Sequence, residues 1–466
     1  MLVEFSVSNF RSIKEKVTLS MVASKDHAQQ ENLIPTDYGF SLLPVAAIYG
    51  ANASGKSNVI KSMMFCQDFI TTRWSEKQIG DPIEWDPFLF DGTSQTHPTT
   101  FEVSFIHHSS IYSKDVFYRL HFGFNKTRVI DESLVCYPKG KLMLVYSRIW
   151  HEKTNNYEYS FGGGWKGEKK TIITHSPENL LFLTIAAQLN NKIAGEVMDW
   201  FNEKFRFISH SGIVLGEKSF TDNIVEDKPE QKKLVLLLMH LADLGITDIS
   251  VKETKIEDFA GWRKLPKGAK EEIIKKMQSD EDNARLIDTY FTHETGKPNA
   301  NRTPIRLSFF EESDGTQKFY SLTGPFIYCM TNGAVLVSDE LDSRLHPLLI
   351  EKIVEMFMTK RHKRLHAQLI FAAHDTSLLE KGELLRRDQI WFTDKNKSGA
   401  TQLYSLYDYD LKPRKNANFR KQYLAGIFGA VPNLAADWRI NNGKEKPKTS
   451  IVKAEHPKKT SKKKAK

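Results

Sequence analysis

Gly50-Ala51-Asn52-Ala53-Ser54-Gly55-Lys56-Ser57 decides how this chain is read. It meets the spacing G-x-x-x-x-G-K-[ST] at every fixed position. Glycines let a backbone wrap a phosphate with its N–H groups, and a helix start adds a potential that favours an anion. Lys56 is then placed to reach the β- and γ-phosphates of a nucleotide, and the Ser57 hydroxyl to ligate Mg²⁺. The neighbours agree. Val45-Ala46-Ala47-Ile48-Tyr49 is a short apolar run, and Lys56 to about Ile70 reads as a helix. By average residue usage, a match of this kind arises by accident in only about one or two chains in a hundred of this length.

The second half of such a site is expected at the end of another buried strand. Val335-Leu336-Val337-Ser338-Asp339-Glu340 supplies it. Alone, an apolar run ending in Asp-Glu usually marks a strand meeting solvent. After a full phosphate loop, Asp339 is expected at Mg²⁺ and Glu340 as general base for the attacking water. Further on, Gln368-Leu369-Ile370-Phe371-Ala372-Ala373 is a third apolar run and ends in His374-Asp375. A lone histidine there would be read as a cap. In this order it is a candidate to contact the γ-phosphate. The expected reaction is Mg²⁺-dependent hydrolysis of ATP, with Lys56, Glu340 and His374 catalytic and residues 50–58, Asn58 included, around the nucleotide.

The 466-residue chain can bury a large core, and its 40% hydrophobic and 26% charged content is that of an ordinary soluble protein. No apolar run approaches the roughly 20 residues of a membrane span. Met1-Leu2-Val3-Glu4-Phe5 lacks the basic-then-apolar pattern of a secretion signal. Cys66, Cys136 and Cys329 are odd in number and scattered, which fits a reduced, cytoplasmic setting. The net charge of +9 is mostly a tail: Lys444 to Lys466 holds ten lysines against two glutamates, leaving the rest near neutral. Two readings stand for that tail, contact with nucleic-acid phosphates and a solvated extension.

Alternating runs at Leu2–Val7, Val17–Val22, Phe101–Ile106 and Phe117–Phe122 predict an antiparallel layer. The fully apolar runs, together with Ile305–Phe310, predict a mixed or parallel core sheet covered on both faces. Lys232 to Ala242 is amphipathic and Lys264 to Lys276 is rich in charge, so 216–300 is expected to be a mostly helical insertion. The organisation follows: a lobe over 1–215 with the phosphate loop, the insertion over 216–300, a lobe over 301–442 with the acidic pair, and the tail over 443–466.

In this order of motifs the chain resembles the ATPase heads of the ABC superfamily, in the branch of the SMC chromosome proteins and the OLD-type ATPases. Asn9-Phe10-Arg11-Ser12 is similar to that branch's N-terminal turn, which implies Arg11 near the nucleotide. Glu312-Ser313-Asp314-Gly315-Thr316-Gln317-Lys318 is similar to the ABC signature, with Asp314 where the family has glycine. The resemblance implies that Ser313 and Gly315 close on the nucleotide of a second subunit, so the heads form a homodimer or a larger even-numbered oligomer. Gln188 is a candidate glutamine-loop residue by position only. More specifically, the chain resembles compact bacterial phage-defence ATPases of the RloA and abortive-infection type. The stretches that carry this include Pro87-Phe88-Leu89-Phe90, Asn179–Leu183, Asp339–Pro347, Phe371–Leu379 and Tyr423–Pro432. That implies a nuclease or toxin effector encoded nearby.

Two features of the wider branch are missing. There is no long heptad stretch between the motif halves. A complete metal-dependent nuclease domain is not expected after His374, and Asp408 and Asp410 read better as a polar turn than as its acidic pair. Two other functions remain open. A DNA-repair or recombination ATPase would be stimulated by DNA, and a slow nucleotide-switched scaffold would show little turnover with or without partners.

Overall fold

The computed structural model describes residues 1–76, 78–138, 140–208, 215–255, 259–262, 265, 267–268, 270–271, 274, 286–295, 303–359, 366–380, 384–409 and 418–432. The lysine-rich tail, Asp410 and much of 264–276 lie outside the described residues. The chain divides into two compact units. The first joins residues 1–207, 332–341 and those from 353 onward, and the second joins 208–331 with 342–352.

Two sheets build the first unit. Strands β1 (Leu2–Ser8), β2 (Val17–Ser20), β6 (Thr99–Ser109), β7 (Lys114–Phe124), β8 (Val129–Cys136), β9 (Met143–His151) and β10 (Asn156–Phe161) form an antiparallel sheet in the order β10-β9-β8-β7-β6-β1-β2. This is the layer the alternating runs predict. A two-stranded ribbon, β3 (Ile34–Pro35) with β4 (Ser41–Leu42), leads into the core strand β5 (Val45–Gly50). The core sheet adds β11 (Phe205–Ile208), β15 (Val335–Ser338), β16 (Gln368–Ala372), β17 (Ile390–Lys395) and β18 (Thr401–Ser405), in the order β11-β15-β16-β5-β17-β18. β15, β16, β5 and β17 run parallel, and β18 turns back antiparallel on β17. β15 and β16 are buried along their whole length, which is why they read as unbroken apolar runs.

Helix α1 (Lys56–Thr71) follows β5 and is gripped by aromatic side chains. Phe65 and Phe69 stack on Phe124 of the antiparallel sheet at 5.6 and 4.9 Å, and Phe65 also stacks on Phe101 at 5.9 Å. Each such pair adds about 0.5–1.5 kcal/mol beyond the burial of its area. The packing fixes the axis of α1, and with it the direction in which its N-terminus points. Helices α2 (Lys170–Thr174), α3 (Phe182–Gln188) and α4 (Lys192–Asp199) complete the unit before β11. Gln188 is the last residue of α3.

The second unit contains α5 (Leu215–Asp227) and α6 (Pro229–Leu241), and α6 covers most of the Lys232–Ala242 stretch whose amphipathic pattern predicts helix. Beyond them the unit also carries strands that the expectation of a helical insertion does not include. β12 (Ile246–Thr254), β13 (Leu286–Thr295) and β14 (Thr303–Ser308) form an antiparallel sheet. β12 buries only a few of its side chains, so its sequence carries weak alternation and reads as polar chain. Helix α7 (Asp314–Asn332) also belongs to this unit, so residues 303–331 group with 216–300 rather than with the acidic pair. Pro325 cannot donate to the carbonyl of Ser321 four residues back, and the Thr221 hydroxyl of α5 donates to it instead at 3.0 Å. Helix α8 (Pro347–Met358) starts in the second unit and ends in the first.

Candidate nucleotide site

The phosphate loop runs from the end of β5 to the start of α1, as its sequence predicts. Close packing explains both glycines. A Cβ on Gly50 would stand 2.5 Å from Thr393 Oγ1 and 2.6 Å from Ser54 Oγ. Gly55 has φ 115°, a conformation side chains disfavour. A Cβ there would overlap Thr401 Oγ1 and stand 2.6 Å from Thr401 Cγ2. Ala53 takes a positive φ of 62° without being glycine, as strained loops at ligand sites do. Lys56 is 5% exposed, and its Nζ donates to the carbonyls of Gly50 at 2.7 Å and Ala51 at 3.3 Å. The ammonium is thereby held over its own loop. Ser57 and Asn58 lie in the first turn of α1, where Asn58 N–H donates to Gly55 O at 3.0 Å.

A set of hydroxyls braces the loop from behind. Ser54 Oγ and Thr393 Oγ1 are 2.6 Å apart and buried. Thr401 Oγ1 donates to Ser54 O at 3.0 Å and lies 2.8 Å from Ser12 Oγ. Asn58 Nδ2 donates to Ser12 Oγ at 2.6 Å, and Thr401 N–H donates to Ser12 O at 2.7 Å. Lys395 Nζ donates to Thr401 Oγ1 at 3.0 Å, and partial burial holds its pKa below the ordinary lysine value. Thr393, Lys395 and Thr401 are absent from the sequence-derived set. Their separation from the loop exceeds 300 residues, and a threonine on a strand carries no local signal. Ser12 ties the Asn9–Ser12 turn to the loop. Its neighbour Arg11, at φ 50°, pairs with Asp86 through Nη2 at 3.2 Å.

β15 ends with Ser338, and the next two residues are the acidic pair. Asp339 is 8% exposed, and its Oδ1 is buried without a hydrogen-bond partner. A buried carboxylate oxygen costs about 1–3 kcal/mol or more when unpaired, so this atom suits a cation ligand. Glu340 takes φ 50°, which turns the chain sharply at the strand end. β16 lies between β15 and β5, and Leu341 N–H donates to Ala372 O at 3.3 Å. His374, two residues beyond β16, brings its Nε2 to 3.5 Å from Glu340 Oε1. The fold thus brings together residues 50–58, Ser12, Asp339, Glu340 and His374 at the strand ends of the first unit. Asp408 caps a short turn after β18, where it accepts the Ser405 N–H at 3.0 Å.

Ser313 and Gly315 lie in the second unit, at the start of α7. The Ser313 hydroxyl accepts the Thr316 N–H at 3.2 Å and so caps the helix. Gly315 is required by close approach, because a Cβ there would stand 3.0 Å from Arg344 O. Arg344 pairs with Asp314 at 3.1 Å, and Lys318 Nζ donates to Ser343 O at 2.7 Å.

Among solved structures, the chain is similar to an SMC head bound to the C-winged helix domain of ScpA, at 14% identity and TM-score 0.38 over 87% of this chain and 97% of that one. It is also similar to the SMC head domain from Thermotoga maritima, at 13% identity and TM-score 0.37 over 87% and 98%. No curated protein sequence matches the chain. Among the described residues, no helix is long and apolar enough to cross a membrane. One family model covers residues 45–380, from the strand before the phosphate loop to beyond His374, and by that match the chain belongs to the family of P-loop ATPases described as "AAA domain, putative AbiEii toxin, Type IV TA system".

Proposed function

We propose that the protein binds ATP with Mg²⁺ at residues 50–58 and hydrolyses it. The observation that carries this is the grouping on adjacent strands of the loop, the unpartnered Asp339 oxygen and the Glu340–His374 pair. Ser57 and Asp339 would hold Mg²⁺, which would neutralise charge on the β- and γ-phosphates. Lys56 would leave the loop carbonyls for phosphate oxygens. Glu340 would take a proton from the attacking water, and His374, beside Glu340, would contact the γ-phosphate. Arg11 would lie at the nucleotide's edge, as the ABC resemblance implies.

Nucleotide state would then govern assembly. Ser313 and Gly315 of one copy would meet the γ-phosphate held by another, giving a dimer or larger even-numbered oligomer that ATP favours over ADP. That assembly would control a separately encoded effector, a nuclease or toxin, in antiviral defence of a bacterial cytoplasm. Membership of a family described as "putative AbiEii toxin, Type IV TA system" supports a place in a toxin system of this kind.

Steady-state hydrolysis and ATP binding by the purified full chain test the core of it. Lys56→Ala should lose binding or turnover. Glu340→Gln should retain ATP while turnover drops by about 10²–10⁴, the usual contribution of a general base. Wild-type turnover by Lys56→Ala would sink the proposal.

A further inference from the structure

A phosphate loop holds phosphates and leaves the rest of the nucleotide to other residues. Two turns border the loop on the side of Asn58 and Ser12. One is Asn9–Ser12. The other is the hairpin turn between β17 and β18, closed by Asn396 N–H to Ala400 O at 2.9 Å and Gly399 N–H to Asn396 O at 3.0 Å. A third segment is tied to the first of these. Arg11 N–H donates to Asp86 O at 2.7 Å, and Phe88 N–H donates to Asn9 Oδ1 at 3.0 Å. This segment is the Pro87-Phe88-Leu89-Phe90 stretch, which the phosphate chemistry does not use.

Phe90 is 75% exposed, yet its backbone is anchored on both sides. Phe88 is fixed by Asn9 before it. After it, Asp91 accepts the Ser94 N–H at 2.7 Å and pairs with Lys14 at 2.9 Å. These contacts hold the Asp91 carboxyl well below its usual range, the Ser94 N–H bond contributing most and the Lys14 ammonium next. The ring stands beside the hairpin turn, where a Cβ on Gly399 would come 2.9 Å from Phe90 Cδ2. Gly399 precedes Thr401 by two residues, at most about 7 Å of chain. Thr401 in turn packs under Gly55. A fixed, open, apolar ring therefore stands beside the hairpin whose Thr401 braces the phosphate loop. A phenyl group held outside the core gains little from folding, whereas a pre-placed aromatic face suits a nucleobase, since every base can stack on it.

We propose that Phe90 is the stacking face for the base of the nucleotide whose phosphates the 50–58 loop holds, an inference that rests on that reading of the loop. Stacking makes no hydrogen bond to the base edge, so it tolerates different bases and adds affinity without selecting adenine.

Calorimetric titration of the full chain with MgATP and with magnesium tripolyphosphate tests this, because tripolyphosphate has the phosphates and no base. Phe90→Ala should weaken ATP binding by about tenfold, the loss of one base–aromatic stack, and leave tripolyphosphate binding unchanged. Phe90→Trp, which keeps a stacking face, should restore ATP affinity, and at so exposed a position neither change threatens folding. Unchanged ATP affinity in Phe90→Ala would overturn the assignment. So would equal losses for both ligands. A wild-type chain that bound neither ligand would instead remove the phosphate-loop reading beneath it.

Discussion

Gly55→Ala should cost the protein about 2–6 kcal/mol, and the structure separates that cost into two parts. The first is conformational: φ 115° is a region that non-glycine residues occupy at about 1–3 kcal/mol. The second is steric. The new methyl would overlap Thr401 Oγ1, with Thr401 Cγ2 at 2.6 Å and Cβ at 2.9 Å, and overpacking of this kind typically costs about 1–3 kcal/mol. Against a usual total of about 5–15 kcal/mol, the loss is large enough to measure as a shift in urea unfolding. Thr401→Ala removes Oγ1 and Cγ2 and leaves Cβ, so it relieves most of the overlap and none of the φ strain. By itself it loses the bonds to Ser54 O, Ser12 and Lys395. The double variant should therefore be more stable than the sum of the two losses by about 1–3 kcal/mol, the steric part alone. With two compact units present, the transition to follow is the one that the Gly55 change moves. If Gly55→Ala unfolds with the wild type and binds ATP normally, the loop is not held in this conformation. If the two losses merely add, Thr401 is not the obstacle.

Other expectations follow from separate parts of the structure. Burial, then the nearby amino group of Met1 and the Lys204 ammonium, lower the His107 pKa from 6.5 to about 4. The unfolded chain thus takes up a proton near pH 6.5 and the folded chain only near 4, so stability should fall by up to about 3 kcal/mol as pH drops through that window; His107→Gln should flatten the urea-midpoint difference between pH 7 and pH 4.5, and an identical slope in the variant would rule His107 out. Asp339→Asn should keep the fold and lose the Mg²⁺ dependence of ATP binding, read by titration with and without chelator, whereas unchanged Mg²⁺ dependence would place the metal elsewhere. Ser313→Ala should cost about 1 kcal/mol through the lost cap of α7, and in a Glu340→Gln background it should also weaken any ATP-dependent association seen by sedimentation. Association that ignores both nucleotide and Ser313 would end the two-copy reading.

What the sequence shows of this site depends on how local each interaction is. The loop, the strand before it and the helix after it lie within about two dozen residues and impose their geometry through their own residue types. Asp339-Glu340 and His374 end buried parallel strands, and such strands announce themselves as unbroken apolar runs. The brace behind the loop is a different case. Ser54 meets Thr393 and Thr401 across separations of 339 and 347 positions, and Ser12 meets Thr401 across 389. A hydroxyl on a strand looks the same whether it faces water or a phosphate loop. The sheet of the second unit is hidden for another reason. β12 pairs with β13 across a stretch of more than thirty residues, and Ile246 and Ile249 are fully buried amid polar neighbours. Period-two alternation is the signal for a half-buried strand, and it is faint where so little of the strand is buried.

The acidic pair occupies a special place in the chain. Leu341 belongs to the first unit and Asp342 to the second, so the polypeptide passes between them one residue after Glu340. Two non-glycine residues here, Glu340 and Arg344, have positive φ, and each such conformation persists only when its surroundings over-determine it. In the second unit, those surroundings are known. Arg344 pairs with Asp314, its carbonyl lies against Gly315, and Ser343 O accepts from Lys318. These are residues of the first turns of α7, next to Ser313. Three residues of chain therefore separate the carboxylate proposed to activate water from Arg344, whose carbonyl packs on the signature-like turn. Ligand contacts can bias a conformational equilibrium only where they differ between its states. On the proposed reading, Glu340 meets a water beside the γ-phosphate in the ATP state and not in the ADP state. A difference of that kind, acting on a strained residue at the crossover, has a short covalent route to the helix start that bears Ser313 and Gly315.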